Sequence, residues 1–290
     1  MAVTDGKIQF EDSDANQIEV TIPRFGYQTT IDMPLDIIQL DDGSYVAYDN
    51  GDGDPTLYDK RRCQCKLYLD ATEQQTLNNF FRDDDENPKG RAYDVTMRMN
   101  TGSGFFPFGP DKGDVGDFAT AITFRSTPAI GDSPFLYFDG TLNMQHTGTF
   151  SAYSLPSEVS EGDLSIGSIT NNRFPPGWFK PNGRYTYFET VKEDGSVEWM
   201  DRSEQGDWYN TSFEIVSNES KAAAVIDYLT ATVRNNTFTL ASCSNSYPFG
   251  RDLGDTVVVR LIQSQIVIVH ENYNRFRYTL KLSALPGVAP

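Results

Sequence analysis

Phe106-Pro107-Phe108-Gly109-Pro110-Asp111-Lys112-Gly113-Asp114 returns later in the chain as Tyr247-Pro248-Phe249-Gly250-Arg251-Asp252-Leu253-Gly254-Asp255. Six of the nine positions are identical, a seventh exchanges one aromatic for another, and no gap intervenes. The neighbours align as well. Asp42-Gly43-Ser44 answers to Asp194-Gly195-Ser196, and Asp49 to Asp201, at an offset of 152. Cys63, Cys65 and Leu67 answer to Thr211, Phe213 and Ile215 at 148, and Leu77, Phe80 and Phe81 to Val225, Tyr228 and Leu229 at the same offset. Val95 to Met99 answers to Phe238 to Ser242. Phe138, Leu142 and Met144 answer to Phe276, Leu280 and Leu282 at 138. The offset falls along the chain and never rises, as it does when two copies of one unit differ by loop length.

Within each copy the segments are short and alternate with period two, as in Gln64 to Leu69, Thr211 to Val216 and Arg275 to Leu282. Such alternation belongs to half-buried antiparallel strands. One helix per copy breaks the pattern. Asp70 is placed to cap the first, with Glu73 three residues on, and Asn218 and Ser220 are candidates to cap the second. Leu77, Phe80 and Phe81 stand at i, i+3 and i+4, as Ala222, Val225 and Ile226 do in essence, so each helix is expected to bury one apolar stripe. The expected fold is mainly β: two tandem antiparallel sandwich or barrel units, each with one flanking α-helix. The units span residues 1–145 and 173–290. Residues 146–172, rich in Ser, Gly and Thr, read as a linker or arm with a strand near Leu164 to Ile169, matched by an opening strand at Gln17 to Ile22.

The repeated Pro-Phe-Gly segments are expected to be turns. Proline fixes one φ, glycine admits positive φ, and aspartates satisfy turn amides. The residues singled out are Phe106, Pro107, Phe108, Gly109, Asp111, Gly113 and Asp114 in the first copy, and Tyr247, Pro248, Phe249, Gly250, Asp252, Gly254 and Asp255 in the second. A turn dictated by its backbone should persist in both copies, so a structural reading is preferred to a ligand site.

The 290 residues carry 24 Lys and Arg against 41 Asp and Glu, a formal charge of -17. The first copy holds most of the excess: 12 basic and 25 acidic side chains in residues 1–145, against 12 and 16 in 146–290. No surplus of cations is available to displace counterions from a nucleic acid, so tight DNA or RNA binding is not expected. Met1 to Gln9 has no apolar core, so no export signal is expected there. Val257 to Val269, the most apolar stretch, is broken by Arg260, Gln263 and Gln265, short of the roughly 18 apolar residues of a membrane helix.

Catalytic chemistry has few candidates. The two histidines are His146 and His270, and neither stands at metal-ligand spacing from a cysteine or a second histidine. There is no Gly-x-Ser-x-Gly elbow, no phosphate-binding loop, no dinucleotide fingerprint and no His-Glu-x-x-His. Asp49 to Asp54 is dense in carboxylates, but from Asn50 the EF-hand register puts Pro55 at the sixth place and Arg61 at the twelfth, so a solvated acidic loop is expected. Cys63 and Cys65, two apart on a strand, share a face and read as buried small apolar residues. No enzyme, no cofactor and no metal site is expected. The aromatic supply, Trp178, Trp199 and Trp208 included, also permits a carbohydrate-binding platform, and 41 carboxylates permit a glycan hydrolase.

Two fused β units with one helix each, acidic and poor in catalytic groups, resemble the tail-tube fold of tailed bacteriophages. The second half looks closest to phage tail-tip and baseplate proteins. Phe174-Pro175-Pro176-Gly177-Trp178-Phe179, Lys221 to Leu229, Tyr247-Pro248-Phe249-Gly250 and Arg275 to Leu280 carry the likeness. The resemblance implies a non-enzymatic structural protein of the virion, a distal tail or baseplate component, assembled in the host cytoplasm. It implies a homo-oligomeric ring, trimer or hexamer, with other tail and baseplate proteins as partners, DNA only in transit through the channel, and no membrane. Two arrangements are open: three chains in a pseudo-sixfold ring, or six chains with one copy inside and one outside. A tail-tube subunit is the nearest variant, and a host-adhesion module the alternative of a different class.

Overall fold

The computed structural model describes residues 7–12, 15, 17–21, 26–40, 45–52, 54, 57–58, 60–82, 95–99, 106–112, 118–124, 129–132, 138–146, 164–172, 180–184, 187–192, 196–201, 208–242, 256–272 and 274–284. The chain is mainly β, and its sheets are antiparallel. Residues 7–146 hold β1 (Lys7–Glu11), β2 (Gln17–Thr21), β3 (Gln28–Asp32), the hairpin β4 (Leu35–Gln39) and β5 (Tyr45–Asp49), and β6 (Lys60–Leu69). Helix α1 (Ala71–Arg82) and β7 (Val95–Met99), β8 (Phe118–Phe124), β9 (Ala129–Asp132) and β10 (Phe138–His146) follow. Residues 164–284 hold β11 (Leu164–Ile166), β12 (Ile169–Asn172), β13 (Lys180–Arg184), the hairpin β14 (Tyr187–Val191) and β15 (Val197–Asp201), and β16 (Trp208–Ser217). Helix α2 (Glu219–Asp227) runs into a π-helical turn (Tyr228–Val233), and β17 (Thr237–Ser242), β18 (Thr256–Leu261), β19 (Gln265–Asn272) and β20 (Arg275–Ala284) complete it.

The pairings run in the same order in both halves. β1 pairs with β2 and β7, as β11 does with β12 and β17. β3 pairs with β6 as β13 does with β16, and β4 with β5 as β14 with β15. β10 takes β6 along one edge and β9, then β8, along the other; β20 takes β16, then β19 and β18, likewise. β7 pairs with β8 and β17 with β18. Registers repeat too. Gln28↔Gln64 returns as Lys180↔Ser212, which are the same positions moved by 152 and 148. Met144↔Cys63 returns as Leu282↔Thr211, moved by 138 and 148. Leu35↔Asp49 returns as Tyr187↔Asp201 at 152. A strand that changes partner midway, as β10 and β20 do, is how one continuous sheet turns a corner.

The pairing of β19 with β3 joins the halves into a single sheet, in the register Gln265↔Asp32 to Val269↔Gln28. One buried apolar cluster therefore runs through both, from Ile8, Phe10 and Ile31 to Ile266, Phe276 and Leu280. β11 and β12 lie inside the stretch expected to be a linker, and by their pairing they answer to β1 and β2. The expected match of Leu164 to Ile169 with Gln17 to Ile22 is thus corrected: β11 corresponds to β1, and Gln17–Thr21 corresponds to β12.

Helix α1 is capped as its sequence predicts. Asp70 Oδ1 accepts from Thr72 and Glu73 N–H at 2.8 Å each, and Glu73 Oε2 accepts from Asp70 N–H at 3.4 Å. Its inward side buries Leu77 and Phe80, each worth about 1.5–3 kcal/mol of transfer free energy. Helix α2 differs from expectation. Asn218 caps it through Lys221 N–H at 2.9 Å, but Ser220 stands within the helix, not at its cap. Nor does α2 bury one stripe: Ser220 through Ile226 are all buried. The cause is that α2 is covered twice, by β16 and β20 of its own half and by residues 110–112 of the other.

Candidate functional site

The first Pro-Phe-Gly segment forms the expected turn. Gly109 N–H donates to Phe106 O at 3.0 Å, and Lys112 N–H to Gly109 O at 3.1 Å, closing a short 3-10 turn at Pro110–Lys112. Gly109 has φ +107°, and a Cβ there would lie 2.8 Å from Arg61 Nη1. Only glycine meets both demands without strain.

The turn does more than reverse the chain. Arg61 stands on the core face of β6, in phase with the buried Cys63 and Cys65. A guanidinium there requires a counter-charge. Asp111 supplies it through Nη1–Oδ1 and Nη2–Oδ2 bonds of 2.6 Å, and Nη1 also donates to Phe108 O at 2.8 Å. Thr29 Oγ1 donates to Pro107 O at 2.9 Å. The Tyr27 hydroxyl accepts from Phe106 N–H at 2.5 Å and lies 2.7 Å from His270 Nδ1. The hydroxyl has one proton and two lone pairs, so it serves Phe106 N–H and His270 Nδ1 at the same time, as donor or acceptor to Nδ1 according to the imidazole tautomer.

His270 belongs to the other half of the chain. Its ring stacks on Phe276 at 4.5 Å and 2°, and Phe106 meets both edge-on, at 5.9 Å and 5.4 Å. Burial pushes the His270 pKa down to about 4. Around this centre, Gln265 Nε2 donates to Asp32 Oδ1 at 2.9 Å, Arg260 Nη1 to Tyr45 O at 3.1 Å, and the Arg234 guanidinium lies 5.2 Å over the Tyr58 ring. The turn residues Phe106, Pro107, Phe108, Gly109 and Asp111 thus sit at the junction of the two halves. They hold it through apolar rings, one buried ion pair and satisfied backbone groups. The arrangement is suited to fixing geometry: the two terminal nitrogens of Arg61, the Asp111 carboxylate and the Tyr27 hydroxyl are all spent on neighbours in the chain.

Gly113 and Asp114, and the whole second segment from Tyr247 to Asp255, lie outside the described residues, as do Trp178 and the Phe174 to Phe179 run. Trp199 stands on β15 and Trp208 opens β16. The sequence gives no role to Arg61 or Tyr27 at this site, and it offers His270 only as a candidate for metal or catalytic chemistry. For Arg61 a signal existed: a charged residue in phase with the apolar positions of an alternating strand.

The acidic loop after β5 is held by its own residues. Asp49 Oδ1 accepts from Gly51 N–H at 2.8 Å, and Asp54 N–H donates to Gly51 O at 2.7 Å. Cys63 and Cys65 form no disulfide and are buried, and the hydrogen bond with Cys65, followed by burial, raises the Cys63 pKa. Hairpin β4–β5 packs Leu35 and Ala47 inward and leaves Ile38 and Tyr48 exposed on its other face. Among the described residues, no group of three His, Cys, Asp or Glu is placed to hold a metal, and no helix is long and apolar enough to cross a membrane. No protein-family model matches the chain, and no curated protein matches its sequence.

Proposed function

We propose that this chain is a non-enzymatic structural subunit of a bacteriophage tail, a distal tail or baseplate component that closes into a ring around the DNA channel. The observation that carries the reading is the repeat of eight strand pairings in two halves joined edge to edge by β3 and β19. On this reading the chain is a tandem duplication of one unit of the tail-tube type, and a ring is built by adding units laterally. Charge supports it. A carboxylate-rich protein at -17 repels the phosphate backbone, so DNA passes a channel of this kind without adhering. The site supports it as well: His270 is sealed into the junction and bonded to Tyr27, which leaves it no role as a general base. Other tail and baseplate proteins would stack on the ring above and below, and DNA would be present only in transit.

The test is the native mass of the purified chain by light scattering, with negative-stain imaging of the same sample. Discrete trimers or hexamers that image as annuli are expected. A monomer at all concentrations that binds a glycan, and loses binding when one exposed aromatic side chain is truncated, would replace the ring by the host-adhesion alternative.

A further inference from the structure

Eight strand pairings of one half recur in the other, and the ninth kind does not. β19 pairs with β3. By register β19 answers to β9, since Gly140↔Ile130 returns as Tyr278↔Ile268, and β3 answers to β13. Among the described residues β9 pairs with β10 alone, and β13 with β16 alone. Each chain therefore uses one strand of each type to join its own halves and, among the described residues, leaves the other of each type with one unmatched edge. The joint is heterologous, because two different strands meet in it. Such a contact does not complete itself; it propagates to further copies until rotation closes a ring.

We propose that β9 of one molecule pairs with β13 of the next copy of this chain, repeating between molecules the pairing that β19 and β3 make within one. This names the contact strands of the ring proposed above; it rests on the assembly part of that reading and not on its tail part. The register follows from the offsets of 138 and 152. Val267↔Thr30 becomes Ala129↔Asn182, Ile268↔Thr29 becomes Ile130↔Pro181, and Val269↔Gln28 becomes Gly131↔Lys180. A ladder between the halves places them side by side around a ring, one after the other. That is the arrangement of three chains supplying six units, and it excludes one copy inside with the other outside.

Pro181 is the residue that such a ladder must accommodate. Met33 N–H donates to Ser264 O at 2.8 Å and His270 N–H to Tyr27 O at 3.1 Å. Backbone groups alternate sides along a strand, so the odd-numbered residues of β3, Thr29 included, face β19. Pro181 stands at the place of Thr29. The N–H it lacks is one that would face the neighbouring copy, so the β13–β16 ladder within the chain is not weakened by it. The ladder between copies keeps the Pro181 carbonyl as acceptor for Ile130 N–H and has one donor fewer than its internal counterpart. The offset of 148 likewise puts Tyr209 where Arg61 stands, so the buried ion pair is not repeated. The joint between copies is the weaker of the two, and assembly is reversible and concentration-dependent.

The test uses the full chain with Ala129→Cys and Asn182→Cys together. Val267↔Thr30 is a pair without direct hydrogen bonds, and in such pairs the Cα atoms lie about 4.5 Å apart, within disulfide reach. Mild oxidation is expected to yield covalent dimers and trimers from the double variant and none from either single variant. Light scattering on the same samples separates the failures. Assembled protein that does not cross-link overturns the strand assignment and leaves the ring reading standing. Protein that stays monomeric and does not cross-link overturns both. A cross-link within one molecule also overturns the proposal, because β9 and β13 would then close on each other. Should the double variant fail to fold, hydrogen exchange on the unmodified chain decides. Amides of β9 are expected to exchange about tenfold or more slowly in the assembled sample than in the dilute one. Equal exchange in an assembled sample, or slowing caused only by an unrelated protein added to the edge, overturns it.

Discussion

Arg61 and Asp111, fifty residues apart and both fully buried, face each other through two parallel hydrogen bonds of 2.6 Å. The pair ties β6 to the turn that the second half of the chain covers. Asp111→Ala leaves a guanidinium buried without its counter-charge, an uncompensated state that costs about 3–5 kcal/mol. The double variant Arg61→Leu with Asp111→Leu removes both charges and is expected to lose much less. Urea denaturation of the wild type, Asp111→Ala and the double variant measures the difference. Equal losses in the two variants would mean that the pair is not desolvated.

Gly109→Ala places a methyl 2.8 Å from Arg61 Nη1 and 3.0 Å from Asp111 Oδ1, at φ +107°. The expected loss is about 1–3 kcal/mol from backbone strain, with some disturbance of the ion pair in addition. A shift in the denaturation midpoint at unchanged slope is the readout. An unchanged midpoint would refute the close approach.

Tyr27→Phe deletes the hydroxyl that serves Phe106 N–H and His270 Nδ1 at once. A buried N–H loses its acceptor, and the expected destabilisation is about 1–3 kcal/mol. Truncating Thr29→Val, which removes one bond to Pro107 O, is expected to cost about 1 kcal/mol or less if water reaches the carbonyl. The ordering of the two variants in thermal denaturation checks this.

His270 makes stability depend on acidity. Its folded pKa of about 4 lies below the ordinary 6.5, so the unfolded chain binds the extra proton first. Stability from this group is complete above about pH 6.5 and declines as pH falls toward 4, by about 3 kcal/mol at most. In His270→Gln this part of the slope between pH 6.5 and 4 should vanish, while the contribution of the carboxylates remains. Denaturant midpoints at several pH values, wild type against variant, provide the measurement.

Asp70→Ala removes the acceptor for two amides at the start of α1. The expected loss is about 1 kcal/mol, within the usual range for a helix cap. Because α1 packs on β2 and β6, circular dichroism should show the helix retained in the native state and the loss expressed in its melting temperature.

The local chemistry of this chain was readable from residues. Asp70 and Glu73 signal their capping box by spacing alone, Gly109 marks its turn, and the alternation of Arg275 to Leu282 predicts β20. The matched segments even carry the offsets of 152, 148 and 138 at which the ladders pair. Arg61 carries a signal of its own, a charge in phase with Cys63 and Cys65, but its counter-charge is not legible because Asp111 lies fifty positions away.

Periodicity records that a face is buried but not what covers it. That is why the sequence alone determined the mainly β class, the helix of each half and the caps at Asp70 and Asn218. It could not determine that α2 is wrapped on both sides, that Phe106 packs on His270 and Phe276, or that β3 finds its second neighbour in β19. Those depend on where the second half of the chain lies against the first. Each is a contact between residues far apart in sequence, chosen by shape and by the need to satisfy buried polar groups, and only the tertiary structure decides it.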